Sequence, residues 1–257
     1  MSSTGLKALL LDLDDTLIDN SMDTFIPAYF KGLTEFVAEY VPPEPFIAEL
    51  LAATRAMNRN DGSGPTNEEV FSEAFYTGLG VPRAELEPVL ERFYAEAFPR
   101  LRTFTGRRSA APRIIEWAGS RGLQVVIATN PLFPRTAIEQ RMEWGGVGVD
   151  LFDYDLVTTY ENSHATKTHP AYYREILHIL GRQPEECLMA GDNWDWDVVC
   201  AAEAGIAGFW IAAKGESPPT TVVEAVAHGS LDELLLLAES GKLEERMVNH
   251  TTAKAVQ

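Results

Sequence analysis

Apolar positions follow two rhythms along this chain, and the change between them divides it. Ala8 to Leu11 is an unbroken apolar run, the pattern of a strand buried on both faces of a parallel sheet. From 24 to 40 the apolar side chains Phe25, Tyr29, Leu33, Phe36, Val37 and Tyr40 recur at helical spacing, which predicts a helix with one apolar face. The segment 41–45, reading VPPEP, ends it. Further helical patterns cover 46–57, 68–79 and 84–97, with a loop of turn residues (NRNDGSGPTN) at 58–67. No strand pattern appears between 19 and 105.

After Gly106 strand and helix patterns alternate. Helices are predicted at 111–120, 135–144, 169–180, 197–204 and Leu231–Glu239, and strands at 123–128, 156–160, 186–190 and Ala207–Ile211. Right-handed crossovers between such strands build an α/β fold, a Rossmann-like parallel sheet with helices on both faces. The organisation that follows is a discontinuous core, residues 1–18 and 106–245, an inserted all-helical domain at 19–105, and a frayed tail at 246–257.

Composition narrows the function classes. The 257 residues are 46% hydrophobic and 23% charged, as in ordinary globular proteins. A net charge of −17 argues against nucleic acid or an anionic membrane as partner. It still allows an anionic substrate in a pocket where bound cations reverse the local sign. The opening MSSTGLK lacks the basic-then-apolar pattern of a signal peptide, and no apolar stretch reaches the ~18 residues of a membrane helix. Cys187 and Cys200 have no CxxC or Cys/His ligand spacing and read as reduced thiols of a cytoplasmic protein.

The candidate chemistry sits at strand ends. Asp12, Asp14 and Asp15 crowd the end of the first strand, and such carboxylates repel unless a cation or proton intervenes. A divalent metal is the simplest remedy; a solvated loop is the plain alternative. Parallel strands bring their C-terminal residues to one edge of a sheet. That edge would collect Asp12 and Asp14, then Thr129 and Asn130, then Lys167 from the loop after the third strand, and Asp192 after the fourth. Carboxylates, a hydroxyl and an ammonium are the parts phosphoryl transfer needs. Taken singly, Thr129 also admits the reading of a strand-end cap, and Lys167 reads first as a surface lysine.

Four motifs now stand in order: DLDDT at 12–16, VVIATN ending in Thr129 and Asn130, Lys167 in KTHPAYYREIL, and GDNWDWD at 191–197. On these the chain resembles the haloacid dehalogenase-like (HAD) hydrolase superfamily, in its phosphatase-type form with a C1-type helical cap at 19–105. The resemblance implies that Asp12 attacks phosphorus and carries an aspartyl-phosphate, while Asp14 first protonates the leaving alcohol and then activates water. It implies Mg²⁺ held by the side chains of Asp12 and Asp192 and the carbonyl of Asp14, with Asn193 and Asp197 around that shell. Thr129, Asn130 and Lys167 would grip the phosphoryl group. Asp14 favours a phosphatase over a true dehalogenase, which lacks this second carboxylate.

The implied function is a cytoplasmic, Mg²⁺-dependent phosphatase acting on a small phosphorylated metabolite. A phosphomutase or phosphotransferase would use the same aspartates. A catalytically idle HAD-like regulatory module is the rival of another class, against which the complete motifs speak. Substrate choice should lie in the cap, where Arg55, Asn58, Arg59 and Asn60 beside the 58–67 loop are the polar candidates; a solvated loop without contacts is the alternative.

Overall fold

The first apolar run is strand β1 (Ala8–Leu11), buried at all four residues in a computed structural model that describes residues 5–219 and 223–255. The chain leaves it through β2 (Ile18–Asp19) and enters the helices α1 (Met22–Val37), α2 (Pro43–Asn58), α3 (Asn67–Leu79) and α4 (Arg83–Glu96). It returns through a 3₁₀ segment, Phe98–Phe104, and β3 (Gly106–Arg107). β2 and β3 pair antiparallel, Ile18 opposite Arg107 and Asp19 opposite Gly106, so the outgoing and returning chain are clamped side by side at the base of the insert.

Beyond β3 come α5 (Ala110–Ser120), β4 (Gln124–Ile127), α6 (Arg135–Gly145), β5 (Leu156–Val157), α7 (Ala171–Leu180) and β6 (Cys187–Gly191). A π-helical turn, Trp194–Cys200, then runs into α8 (Ala201–Glu203), followed by β7 (Ala207–Ile211), β8 (Ala227–Gly229), α9 (Leu231–Glu239) and α10 (Lys242–Ala255). The six-stranded parallel sheet has the order β5-β4-β1-β6-β7-β8. Leu11 lies opposite Ile127 on one side and Ala190 on the other. The chain therefore builds outward from β1 through β4 and β5, then crosses back for β6. This reversal beside β1 is a topological switch point, and the connections diverging from it leave a crevice at the carboxyl ends of the strands.

Side-chain alternation explains why β1 reads as a continuous apolar run. Leu9 and Leu11 face the layer that holds Ile114 and Leu234, whereas Ala8 and Leu10 face the one that holds Tyr172 and Ile176. The insert has its own core, built on Phe25, Phe46, Phe75, Phe93 and Phe98, and it also takes in Ala137 and Trp144 of α6. Each fully buried phenylalanine contributes about 1.5–3 kcal/mol, so the insert is a packed unit seated on α6. A capping box between Thr66 and Glu69 starts α3. It places Asn67, which is fully buried, where its Nδ2 donates to the Ala165 carbonyl (3.1 Å) and the Pro131 carbonyl (3.4 Å). Backbone bonds from Asn67 N to Ser163 O (2.8 Å) and Glu68 N to Tyr160 O (2.8 Å) complete this seam.

The α/β class and the inserted helices agree with the hydropathy pattern; several details differ. β2, β3 and β8 have two or three residues each, too few to show an apolar rhythm. β5 spans two residues where five were expected, since Thr158 turns its hydroxyl back onto the Thr129 carbonyl (2.8 Å). The helix expected at 197–204 begins at Trp194 and winds first as a π turn. Of the frayed tail expected at 246–257, the backbone up to Ala255 belongs to α10, and 256–257 lie outside the described residues.

Candidate active site

Asp12 follows β1 directly, and its amide donates to the Ala190 carbonyl (2.9 Å), which extends the β1–β6 pairing by one step and fixes its backbone. Asp15 takes left-handed backbone (φ 54°), a conformation non-glycine residues rarely adopt. The chain turns there, and the amides of Leu17 and Ile18 bond back to the Leu13 carbonyl (2.9 and 3.0 Å).

Lys167 is buried, and its Nζ lies 2.5 Å from Asp12 Oδ1 and 2.7 Å from Asp197 Oδ1. The Asn130 side chain accepts from the Lys167 amide (3.2 Å), so the end of β4 sets the loop that delivers the lysine. Asp197 Oδ2 accepts from the Asn193 amide (3.0 Å), and Tyr173 donates to Asp197 Oδ1 (3.4 Å). The space is available because residue 191 is glycine: a Cβ there would fall 2.1 Å from Asp197 Oδ2. Asp192 follows β6, and the Thr16 hydroxyl points at its Oδ1 (3.5 Å). Asp12, Asp192 and Asp197 each offer an oxygen, all within 4.8 Å of one another. Thr129 is buried beside them, its carbonyl held by Thr158 Oγ1 (2.8 Å) and the Tyr172 hydroxyl (2.9 Å).

The charge balance of this cluster is incomplete. Burial pushes the Asp192 and Asp197 carboxyls above the ordinary carboxylate range, with the Asp12 charge adding to both. Burial alone would lower the Lys167 ammonium, but Asp12 and Asp197 outweigh it and hold the lysine protonated. With all three carboxyls ionised, the one ammonium would leave two negative charges unmatched, and every acidic donor is oxygen. That set fits a hard divalent cation such as Mg²⁺.

Asp14 faces a different partner. Its Oδ2 lies 2.5 Å from Arg141 Nη1, and its Oδ1 accepts from Asn20 Nδ2 (2.6 Å). Burial raises the Asp14 carboxyl above its ordinary value, and Arg141 opposes that without cancelling it. The guanidinium stands 4.7 Å from the Phe133 ring centre and 5.7 Å from that of Phe25, within cation–π range. Neither Arg141 nor Asn20 stands out in the sequence. The one available signal is that Arg141 lies three and four residues after buried Ile138 and Ala137, on the buried face of α6.

The remaining candidates take other places. The Asn193 side chain accepts from the Trp196 amide (3.0 Å), so it caps the π turn, and only its backbone touches Asp197. Asn60 is buried, with Nδ2 donating to Asn67 Oδ1 (3.0 Å) and the Pro65 carbonyl (3.0 Å); it holds the loop that an expected substrate contact would have left free. Arg55, Asn58 and Arg59 are exposed. Asn58 meets the lysine loop through its carbonyl, which accepts from Thr168 Oγ1 (3.4 Å).

The family described as haloacid dehalogenase-like hydrolase matches residues 6–205. A phosphoserine phosphatase of Thermus thermophilus is 29% identical over 231 residues, covering 80% of this chain and 88% of its own length. A phosphoglycolate phosphatase of Aquifex aeolicus is 25% identical over 201 residues, covering 78% of this chain and 82% of its own. Among solved structures, a HAD phosphatase from Thermococcus onnurineus superposes with a TM-score of 0.57 at 21% identity, covering 89% of this chain and 96% of its own.

Proposed function

This chain belongs to the haloacid dehalogenase-like hydrolases, and from that premise we propose that it is a divalent-metal-dependent phosphatase of small phosphomonoesters. The observation that carries the reading is the lysine shared between two carboxylates: Lys167 bridges Asp12 and Asp197 with Asp192 alongside. Phosphatase relatives of the same family support it.

Asp12 is the nucleophile. Lys167 holds one of its carboxylate oxygens, and the Ala190 carbonyl holds its amide, so attack on phosphorus needs no rearrangement of the backbone. The product of that attack is a phosphoryl group on the Asp12 carboxylate. Thr129, at the neighbouring strand end, and Lys167 receive the transferring oxygens, with Asn130 holding the lysine loop. Mg²⁺ held by Asp12, Asp192 and the Asp14 carbonyl, with Asp197 beside it, would neutralise phosphoryl charge. Asp14 gives a proton to the departing alkoxide, and its burial keeps the protonated form accessible. It then takes a proton from the water that cleaves the acyl phosphate.

The division into a core, 1–18 and 106–245, and a cap, 19–105, belongs to the same reading and is supported by the β2–β3 clamp. Among the described residues no helix is long and apolar enough to cross a membrane, and the free thiols of Cys187 and Cys200 support a cytoplasmic setting. The test is hydrolysis of 4-nitrophenyl phosphate with Mg²⁺ and with chelator, in the parent and in Asp12→Asn. We expect turnover that needs the metal and vanishes in the variant. Parental activity in Asp12→Asn, or indifference to chelator, would overturn the assignment.

A further inference from the structure

A cavity of about 660 Å³ separates the cap helices from the core loops that follow β4 and β5. It is the size that holds a small organic molecule. Its walls are largely apolar and rich in rings, with Tyr29, Phe71, Phe75, Tyr76, Tyr94 and Phe133 among them. Among the described residues its charged members are all acidic, Glu68, Glu87, Glu91 and Glu161, with no lysine, arginine or histidine in the lining. Arg83 pairs with two of these from outside, 2.7 Å from Glu68 and 2.5 Å from Glu87. None of the polar candidates Arg55, Asn58, Arg59 and Asn60 reaches it.

No residue of the carboxylate cluster lines the cavity, and the link between the two runs through Asp14. Asp14 must meet the departing oxygen, and Arg141 binds Asp14 on one side and stacks on Phe133 on the other. Phe133 is itself cavity wall. Arg141 and Phe133 thus stand between the proton donor and the cavity, and a leaving group enters this space only by extending past them.

Resting on the phosphatase reading, we propose that the substrate is the phosphomonoester of a bulky apolar alcohol and bears no second anionic group. Aromatic walls favour hydrocarbon over water. Four carboxylates against the single Arg83 outside the lining disfavour another anion. Phosphoserine and phosphoglycolate, on which the two relatives are named to act, each carry a carboxylate and are poor matches for this lining.

The test is a homologous series: ethyl, butyl, hexyl and octyl phosphate, hydrolysed by the full chain with Mg²⁺ and set beside phosphoserine and phosphoglycolate. The alkyl esters share nearly one leaving-group basicity, so only reach into the cavity changes along the series. KM should fall by up to about fourfold per methylene until the space is filled, and the two carboxylate-bearing esters should show the lowest kcat/KM of the set. Ser72→Phe, which projects a ring from the α3 wall, should cut the octyl-to-ethyl ratio of kcat/KM about tenfold. Turnover of ethyl phosphate with no gain along the series, or a preference for either carboxylate-bearing ester, overturns this proposal and leaves the phosphatase reading standing. Failure to hydrolyse any ester overturns the phosphatase reading instead. Calorimetric binding of ethyl- and octylphosphonate then decides the cavity's chemistry without turnover: octyl tighter by at least tenfold supports it, and equal affinities end it.

Discussion

Arg141 and Asp14 are 127 residues apart in the chain, and their side chains meet at 2.5 Å with the arginine 1% exposed. The pair joins α6 to the turn after β1. One guanidinium nitrogen, Nη2, is buried without a partner among the described residues. The arginine is thus committed to Asp14 and to two aromatic faces, at the expense of one unmade hydrogen bond.

Arg141→Met should destabilise the fold by about 3 kcal/mol, because removing one member of a buried ion pair leaves the other uncompensated. Urea denaturation measures it. The double variant Arg141→Met with Asp14→Asn should recover part of the loss, and a double variant less stable than the single one would show that the pair is not the cause.

Without metal, the carboxylate cluster should make the fold less stable as pH rises. Asp192 is pushed up to about 8 by burial and by the Asp12 charge, and Asp197 is raised as well. A carboxyl whose folded pKa exceeds its unfolded value of about 4 binds its proton more tightly in the fold. Its share of stability is complete below about pH 4 and is lost as pH climbs through about 8. Denaturation midpoints in chelator should therefore decline across that window, with a shallower decline in Asp192→Asn. Excess Mg²⁺ should flatten the parental curve, since a cation on these oxygens replaces the protons.

Gly191→Ala tests how tightly Asp197 is seated. The new methyl would occupy the space of Asp197 Oδ2, so the carboxylate must leave Lys167 or the strand must shift. A destabilisation of about 1–3 kcal/mol together with weakened Mg²⁺ dependence of turnover is expected. Unchanged metal dependence would show that Asp197 is not needed at the cluster.

Cys187 and Cys200 should resist iodoacetamide at pH 8 in the folded protein and react in urea. Burial pushes their thiols up to about 12 and about 11, and only the thiolate is nucleophilic. Mass spectrometry of the alkylated chain counts the modified thiols in each condition.

The parallel sheet was legible because its strands are buried on both faces, so Ala8–Leu11 and Ala207–Ile211 appear as apolar runs. The helical insert was legible from its period. β2, β3 and β8 were not, because their pairing depends on the backbone of a distant neighbour and not on any rhythm of their own. Asp12, Thr129, Lys167 and Asp192 could be nominated together because strand ends in one parallel sheet share an edge, whatever their separation in the chain, whereas Asp197 came only with the family resemblance.

By itself the amino-acid order determined the alternation of strands and helices, the site of the insert and the acidic residues at the strand ends, since each is written in local periodicity and spacing. Only the tertiary structure decided that Arg141 pairs with Asp14, that Asn60 is spent on Asn67, and that a ring-lined cavity with acidic sides stands beyond Phe133. The physical reason is that desolvation and partner choice are properties of a packed interior. A lone arginine on a helix carries the same local signature whether it ends in water or against a buried carboxylate, and a wall of rings becomes a cavity only when four helices close around it.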